Sequence, residues 1–269
     1  MVVDWREKAQ QHWIEQLIYL FFISLNHSSN LFNMKPILKL IFGMMLMTAM
    51  ALVTGCKPEE NPDSGNTLNG HEYVDLGLPS GTLWAACNVG ANTPEEYGDY
   101  FAWGETAPKT TYYWSNYKYC NGGDGWNTLT KYCDDASYGY NGFTDNLTIL
   151  LPEDDAATAN WGSGWCMPTA DQWDELRDNT NTSWITQNGV GGCLFTASNG
   201  HSLFLPAAGF RWGGGLYDAG SYGYYWSSSL LTDFPGDAWG FYFSSGSYGM
   251  DYFRGCGQSV RPVRSSPQN

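Results

Sequence analysis

The sequence predicts an α+β domain of short antiparallel strands, long ordered loops and one or two short helices. Aromatic residues make up 16% of the chain and charged residues only 15%, beside 32 glycines. That balance belongs to a rigid, loop-rich β protein rather than a disordered one. The apolar runs are short and separated by Gly, Pro, Asn and Ser, the punctuation of strands and turns. One stretch, Trp165–Arg177, carries a full set of helix signals. No fixed-period repeat is present, which argues against propellers and solenoids. The formal net charge of −14 argues against nucleic acid and anionic membrane surfaces as partners.

The N-terminal part sets the compartment. Met34–Lys39 is a short basic region, and the apolar run Leu40–Val53 follows it. The run ends in Leu52-Val53-Thr54-Gly55-Cys56, which resembles a bacterial lipobox. The resemblance implies a signal peptide over 34–55, cleavage before Cys56 and acylation of its thiol. An ordinary transmembrane anchor is the alternative. Residues 1–33 sit upstream of that signal, and Trp13–Leu25 is apolar but too short to span a bilayer. An over-called start, with Met34 as initiator, explains them; a translated extension is the alternative. Residues 56–69 read as a polar tether, and Glu59-Glu60 resembles the export signal of surface lipoproteins in Bacteroidetes. The expected location is the outer membrane, held by lipid alone, with the domain of residues 70–266 at the cell surface.

Along that domain, His71–Leu78 and Thr82–Val89 form a strand pair around the turn Pro79-Ser80-Gly81. Gly98–Trp103 is a short strand, Thr110–Tyr119 an aromatic extended segment, and Cys120–Thr144 a loop. The acids Glu153-Asp154-Asp155 precede Ala156-Ala157-Thr158, which fits the first turn of a short helix. Calcium is the functional reading of that region, with Asp145, Asp154 and Asp155 as hard oxygen ligands, although their spacing is not that of an EF-hand. In the next helix Thr169 caps and Gln172 returns the bond, while Trp173 and Leu176 share the buried face. Asn179–Gln187 leaves the helix as a polar turn. Gly192–Ala197 is a strand, Ser198–His201 a tight turn, and Ala238–Phe243 and Gly249–Phe253 a strand and its return. Gln258–Arg264 is a final strand, in which Pro262 marks an edge or bulge.

Of the seven cysteines, six follow Cys56. An even number in an exported chain permits disulfides. Cys120 and Cys133 flank a glycine-rich loop and are the favoured pair; Cys166 with Cys256 is a second candidate, and buried free thiols are the alternative. No Cys-x-x-Cys spacing points to zinc. Arg211, Arg254, Arg261 and Arg264 lie in apolar or aromatic late strands, where they are expected to pair with buried acids or carbonyls.

The stretch Leu203–Ser229 carries the binding hypothesis. A strand closed by Pro206 leads through Ala207-Ala208-Gly209 to Arg211, a flexible Gly213-Gly214-Gly215 hinge, a surface-like run over residues 216–222, and the aromatic strand Tyr224-Tyr225-Trp226. A glycine-rich loop carrying aromatics and one acid suits non-covalent binding. Trp212, Tyr217, Asp218, Tyr222 and Tyr224 are the expected ligand-binding residues; the plainer reading is a hairpin whose aromatics fill the core. Catalytic alternatives are Glu105 with Asp218 as a glycosidase-like carboxylate pair and Cys193 with His201 as a nucleophile pair. The glycine run lacks the lysine and the helix of a phosphate loop. No cofactor is expected beyond calcium.

The segments LGLPSGTLWAACNVGA, YFAWGET, LPEDDAATANWGSGWCMPTADQWDEL, LFLPAAGFR, YYWSSS and SVRPVR resemble, in this order, the Fibrobacter succinogenes major paralogous domain of exported lipoproteins. CMPTADQWDELR, GFR, YWSSS and VRPV are similar, more distantly, to formylglycine-generating enzymes and their relatives. The second resemblance implies a C-type-lectin-like fold with paired terminal strands. Its enzymatic sites do not carry over. The closely spaced late copper-binding cysteines are reduced to Cys256, and the iron ligands of relatives have only His71 and His201 to match. Together these readings imply a surface lipoprotein that binds a glycan or a surface protein without altering it. A structural component of the cell surface is the alternative, and an enzyme of the formylglycine-generating group a third reading.

Overall fold

The computed structural model describes residues 66–122, 125–246, 248–249 and 252–265. All of them belong to one unit of the chain, Asp63–Asn269. The expected signal segment 34–55, Cys56, Glu59-Glu60 and the upstream residues 1–33 lie outside the described residues.

The described residues form a mostly β, α+β architecture with two α-helices. One sheet has the order β1 (Thr67–Leu68), β2 (His71–Val74), β3 (Thr82–Ala85) and β15 (Val263–Ser265), antiparallel throughout. The expected hairpin at Pro79-Ser80-Gly81 is therefore present. Residues 67–68, read as tether, are instead a paired strand. A second sheet runs β12 (Tyr248–Gly249), β11 (Asp237–Phe243), β10 (Gly223–Leu230), β14 (Gln258–Ser259) and β4 (Tyr100–Phe101), with β13 (Tyr252–Phe253) also on β11. In it β10 and β14 pair in parallel, against the antiparallel expectation. The third sheet is β5 (Thr180–Gln187), β6 (Val190–Ala197) and β7 (Ser202–Pro206); the fourth is the hairpin of β8 (Phe210–Trp212) and β9 (Gly215–Tyr217).

The helices are α1 (Ala156–Trp161) and α2 (Ala170–Asp178). The capping box is present in α2: the Thr169 side chain accepts from the Gln172 amide at 3.2 Å, and the Thr169 amide donates to Gln172 Oε1 at 2.9 Å. Trp173 and Leu176 are fully buried. The Trp173 ring stacks on Phe241 at 4.9 Å and packs near Trp84 at 4.6 Å, so α2 closes the core over β10 and β11. Replacing such a buried indole by alanine costs about 3–5 kcal/mol.

Three further expectations of secondary structure change. Asn179–Gln187 is not a turn: residues 180–187 pair along their whole length with β6, and Asn188-Gly189, with φ of 48° and 86°, makes the two-residue connection. Thr110–Tyr119 is not continuously extended, because Trp114–Asn116 is a 3₁₀ turn. The last strand splits, Gln258–Ser259 joining the second sheet and Val263–Ser265 the first. Arg261 lies in the crossing, fully buried, donating to the Ala85 and Ala86 carbonyls and to Asn88 Oδ1. Arg254 is also fully buried and donates to the carbonyls of Tyr132, Pro235 and Lys131. Arg211 and Arg264 stack over the rings of Tyr100 and Tyr73. In these contacts the structural arginines meet carbonyls and rings.

The proposed disulfides are not formed. Cys120, Cys133, Cys166 and Cys256 are free thiols. The Cys120 and Cys133 sulfurs face different carbonyls, those of Gly125 and Asp135, and Cys166 faces that of Val263.

Candidate functional site

The β8–β9 hairpin is built by local rules and then stitched in from both sides. Gly213, at φ 57°, and Gly214 make its two-residue turn, because Trp212 pairs with Gly215. The three glycines are thus a hairpin turn and its first return residue, not a hinge. On one side Gly213 exchanges backbone hydrogen bonds with Tyr112, at 2.8 and 2.9 Å; on the other Arg211 exchanges them with Gly257, at 2.7 and 2.9 Å. Gly209, at φ 66°, lets the chain pass the Tyr217 carbonyl and Ala219, where a Cβ would stand 2.1 Å from that oxygen.

Side chains alternate along a strand. Phe210 and Trp212 therefore share one face of β8, and Arg211 turns to the other. The first face opens on a cleft of about 440 Å³ lined by Trp114, Phe210, Trp212, Tyr217, Tyr252, Phe253 and Cys256. The rings brace one another. Phe210 stacks with Tyr217 at 5.5 Å and meets Tyr252 at 5.0 Å, while Tyr113 meets Trp212 edge-on at 6.0 Å. Tyr217 and Phe253 are about half exposed, at 48% and 53%, so the cleft is open to solvent. Cys256 forms part of its floor, and burial, with Asp237 adding to it, pushes that thiol up to about 12.

Of the five expected binding residues, Trp212 and Tyr217 line the cleft. Tyr224 stands behind it, in ring contact with Phe210 at 5.1 Å and Tyr252 at 5.4 Å. Tyr222 stacks on Tyr224 at 5.9 Å. Asp218, at φ 58°, accepts the Tyr224 hydroxyl at 3.2 Å. Burial raises the Tyr224 and Tyr252 phenols, and the Asp218 charge adds to both shifts. Tyr217, Tyr222, Tyr224 and Asp218 are thus linked through Phe210, and Trp212 joins them as a wall of the same cleft. Trp114, Phe210, Tyr252 and Phe253 were not foreseen. Phe210 lies on the hairpin strand of Trp212; the other three come from separate segments, whose only sequence signal is aromatic richness in Thr110–Tyr119 and Gly249–Phe253.

The calcium candidates are not brought together as ligands. Asp145 accepts the amides of Tyr132, Cys133 and Leu147. Asp155 caps α1 and accepts the Thr158 and Met167 amides; burial raises its carboxyl despite these bonds. Asp154 is held by Lys118 at 2.9 Å and Lys131 at 2.5 Å, and two ammonium groups there oppose a divalent cation. No group of three or more metal-ligating side chains occurs among the described residues.

The catalytic alternatives gain no geometry. Glu105 is paired with Lys109 at 2.9 Å and accepts the Lys118 amide, while Asp218 is engaged with Tyr224. His201 lies at the turn before β7 with Nδ1 on the Asp75 carbonyl, whereas Cys193 is paired across from Leu205, roughly 13 Å along the ladder. His71 lines a second hollow, of about 310 Å³, with Glu72, Cys87, Asn92 and Trp161. Its ring is stacked on Trp161 at 3.7 Å; burial lowers the imidazole and raises the Cys87 thiol, leaving both neutral near pH 7. No described helix is long and apolar enough to cross a membrane. Comparisons of the chain with protein-family models, with curated proteins and with solved structures returned no match.

Proposed function

We propose that this chain is an exported, lipid-anchored surface protein that holds a ligand non-covalently in the aromatic cleft. One observation carries the reading: six aromatic side chains from a 3₁₀ turn, the β8–β9 hairpin and β13 surround a single solvent-open cleft. Rings fixed in this way offer large contact area at little entropic cost. They suit the apolar face of a sugar or the side chains of a surface protein. The anchor rests on the lipobox-like run ending at Cys56.

A C-type-lectin-like arrangement is part of the proposal, and so is membership of the Fibrobacter succinogenes major paralogous domain family. The presence of the first and last described strands in one sheet supports the former. So do long loops tied down by specific bonds, such as those from Arg254 to the 131–132 and 235 carbonyls. The ordered motifs of the sequence support the latter.

The test is a glycan array and a surface-protein pull-down with the full chain, repeated with Trp212→Ala and Tyr217→Ala. Each variant is expected to weaken capture at least about fivefold, the loss typical of an anchor side chain. Capture unchanged in both would remove the site.

A further inference from the structure

We infer that the group seated in the aromatic cleft is a quaternary ammonium, held by the aromatic wall, with the Asp218 and Asp237 carboxylates close behind that wall. This rests on the reading of the cleft as a ligand site and narrows its chemistry. Six of the seven lining residues are aromatic, two of them tryptophan. Such a wall supplies few of the donors and acceptors that a sugar's hydroxyls need, but it supplies the negative ring faces that attract a weakly hydrated cation.

The charges around the cleft agree. Asp218 follows the lining Tyr217 and bonds Tyr224, whose ring touches the lining Phe210 and Tyr252. Asp237 stands directly across the ladder from the lining Phe253. The nearby arginines face elsewhere: Arg211 lies over Tyr100 on the far side of β8, and the Arg254 guanidinium is turned into the core among carbonyls. A cleft of about 440 Å³ exceeds a trimethylammonium headgroup and leaves room for a further body of the ligand alongside it.

The experiment is calorimetric titration of the full chain with choline, with its uncharged tert-butyl isostere and with a neutral disaccharide, for the wild type, Asp218→Asn and Trp212→Ala. Asparagine tolerates the left-handed backbone of residue 218 and removes only the charge. Choline is expected to bind at least about fivefold more tightly than the isostere, a preference that shrinks in Asp218→Asn and disappears with all binding in Trp212→Ala. Equal binding of choline and the isostere, or binding of the disaccharide alone, overturns the ammonium assignment and leaves the cleft reading standing. Choline binding untouched by Trp212→Ala places the cation elsewhere and also overturns it. If none of the probes binds and the array and pull-down are blank, the cleft reading falls with it.

Discussion

Asp154 shows what a single buried acid does here. Its carboxylate ties Lys118, Lys131 and the Tyr132 hydroxyl to the turn before α1, and the same hydroxyl receives the Leu151 amide. Burial alone would raise this carboxyl, but the Lys131 and Lys118 ammonium groups and the phenols hold it well below its ordinary 3.8. A depressed folded-state value stabilises the fold above pH 3.8, and that contribution is lost as pH falls through the lowered value. Asp154→Ala is expected to cost about 1–3 kcal/mol in denaturant melts at pH 7, because the Tyr132 hydroxyl and two part-exposed lysines lose their shared acceptor. The deficit should narrow below pH 3.8. The sequence made the acid visible but not its partners: Lys118 and Lys131 lie 36 and 23 residues away. An acidic run looks the same whether it meets a metal or two lysines. The buried arginines were legible as structural for a simpler reason, since a guanidinium inside an aromatic stretch must find acceptors.

At the scale of elements, local chemistry was readable and long-range pairing was not. The Thr169–Gln172 box spans one turn, so its residues specify it without help from the fold. Strand β5 escaped because most of it is partly or fully exposed, which leaves Thr, Asn and Ser without an apolar alternation to detect. Asn188-Gly189 was the available clue, as that dipeptide favours the backbone of a two-residue hairpin. Asn69-Gly70, at φ 51° and 80°, gave the same clue for β1 and β2. The hairpin that carries Trp212 and Tyr217 depends on a close pass at Gly209. Gly209→Ala would drive a methyl into the Tyr217 carbonyl at a left-handed backbone position. It is expected to destabilise the chain by more than about 1 kcal/mol and to weaken ligand capture through displaced cleft walls, as thermal melts and the capture assay would show. Three of the cleft's aromatic residues, Trp114, Tyr252 and Phe253, escaped notice because β13 and the 114–116 turn meet the hairpin only once the tertiary fold exists.

Across the whole molecule, residues 258–265 join what the rest leaves apart. Gln258–Ser259 sits between β10 and β4, and Val263–Ser265 completes the edge of β3. Val260 and Val263 are fully buried, and the backbone of Val263 also bridges Cys166. A chain stopped before Gln258 is expected to lose its cooperative thermal transition and become sensitive to limited proteolysis, because both sheets are broken at once. Removing β1 alone should be far milder, since two partly buried residues pair there. The order of synthesis then matters. Most of the domain emerges from the ribosome before the segment that can lock either sheet, so a nascent chain remains pliable until that segment arrives. For the exported protein proposed above, that order would let the polypeptide be threaded through a narrow translocation pore without first being pulled apart.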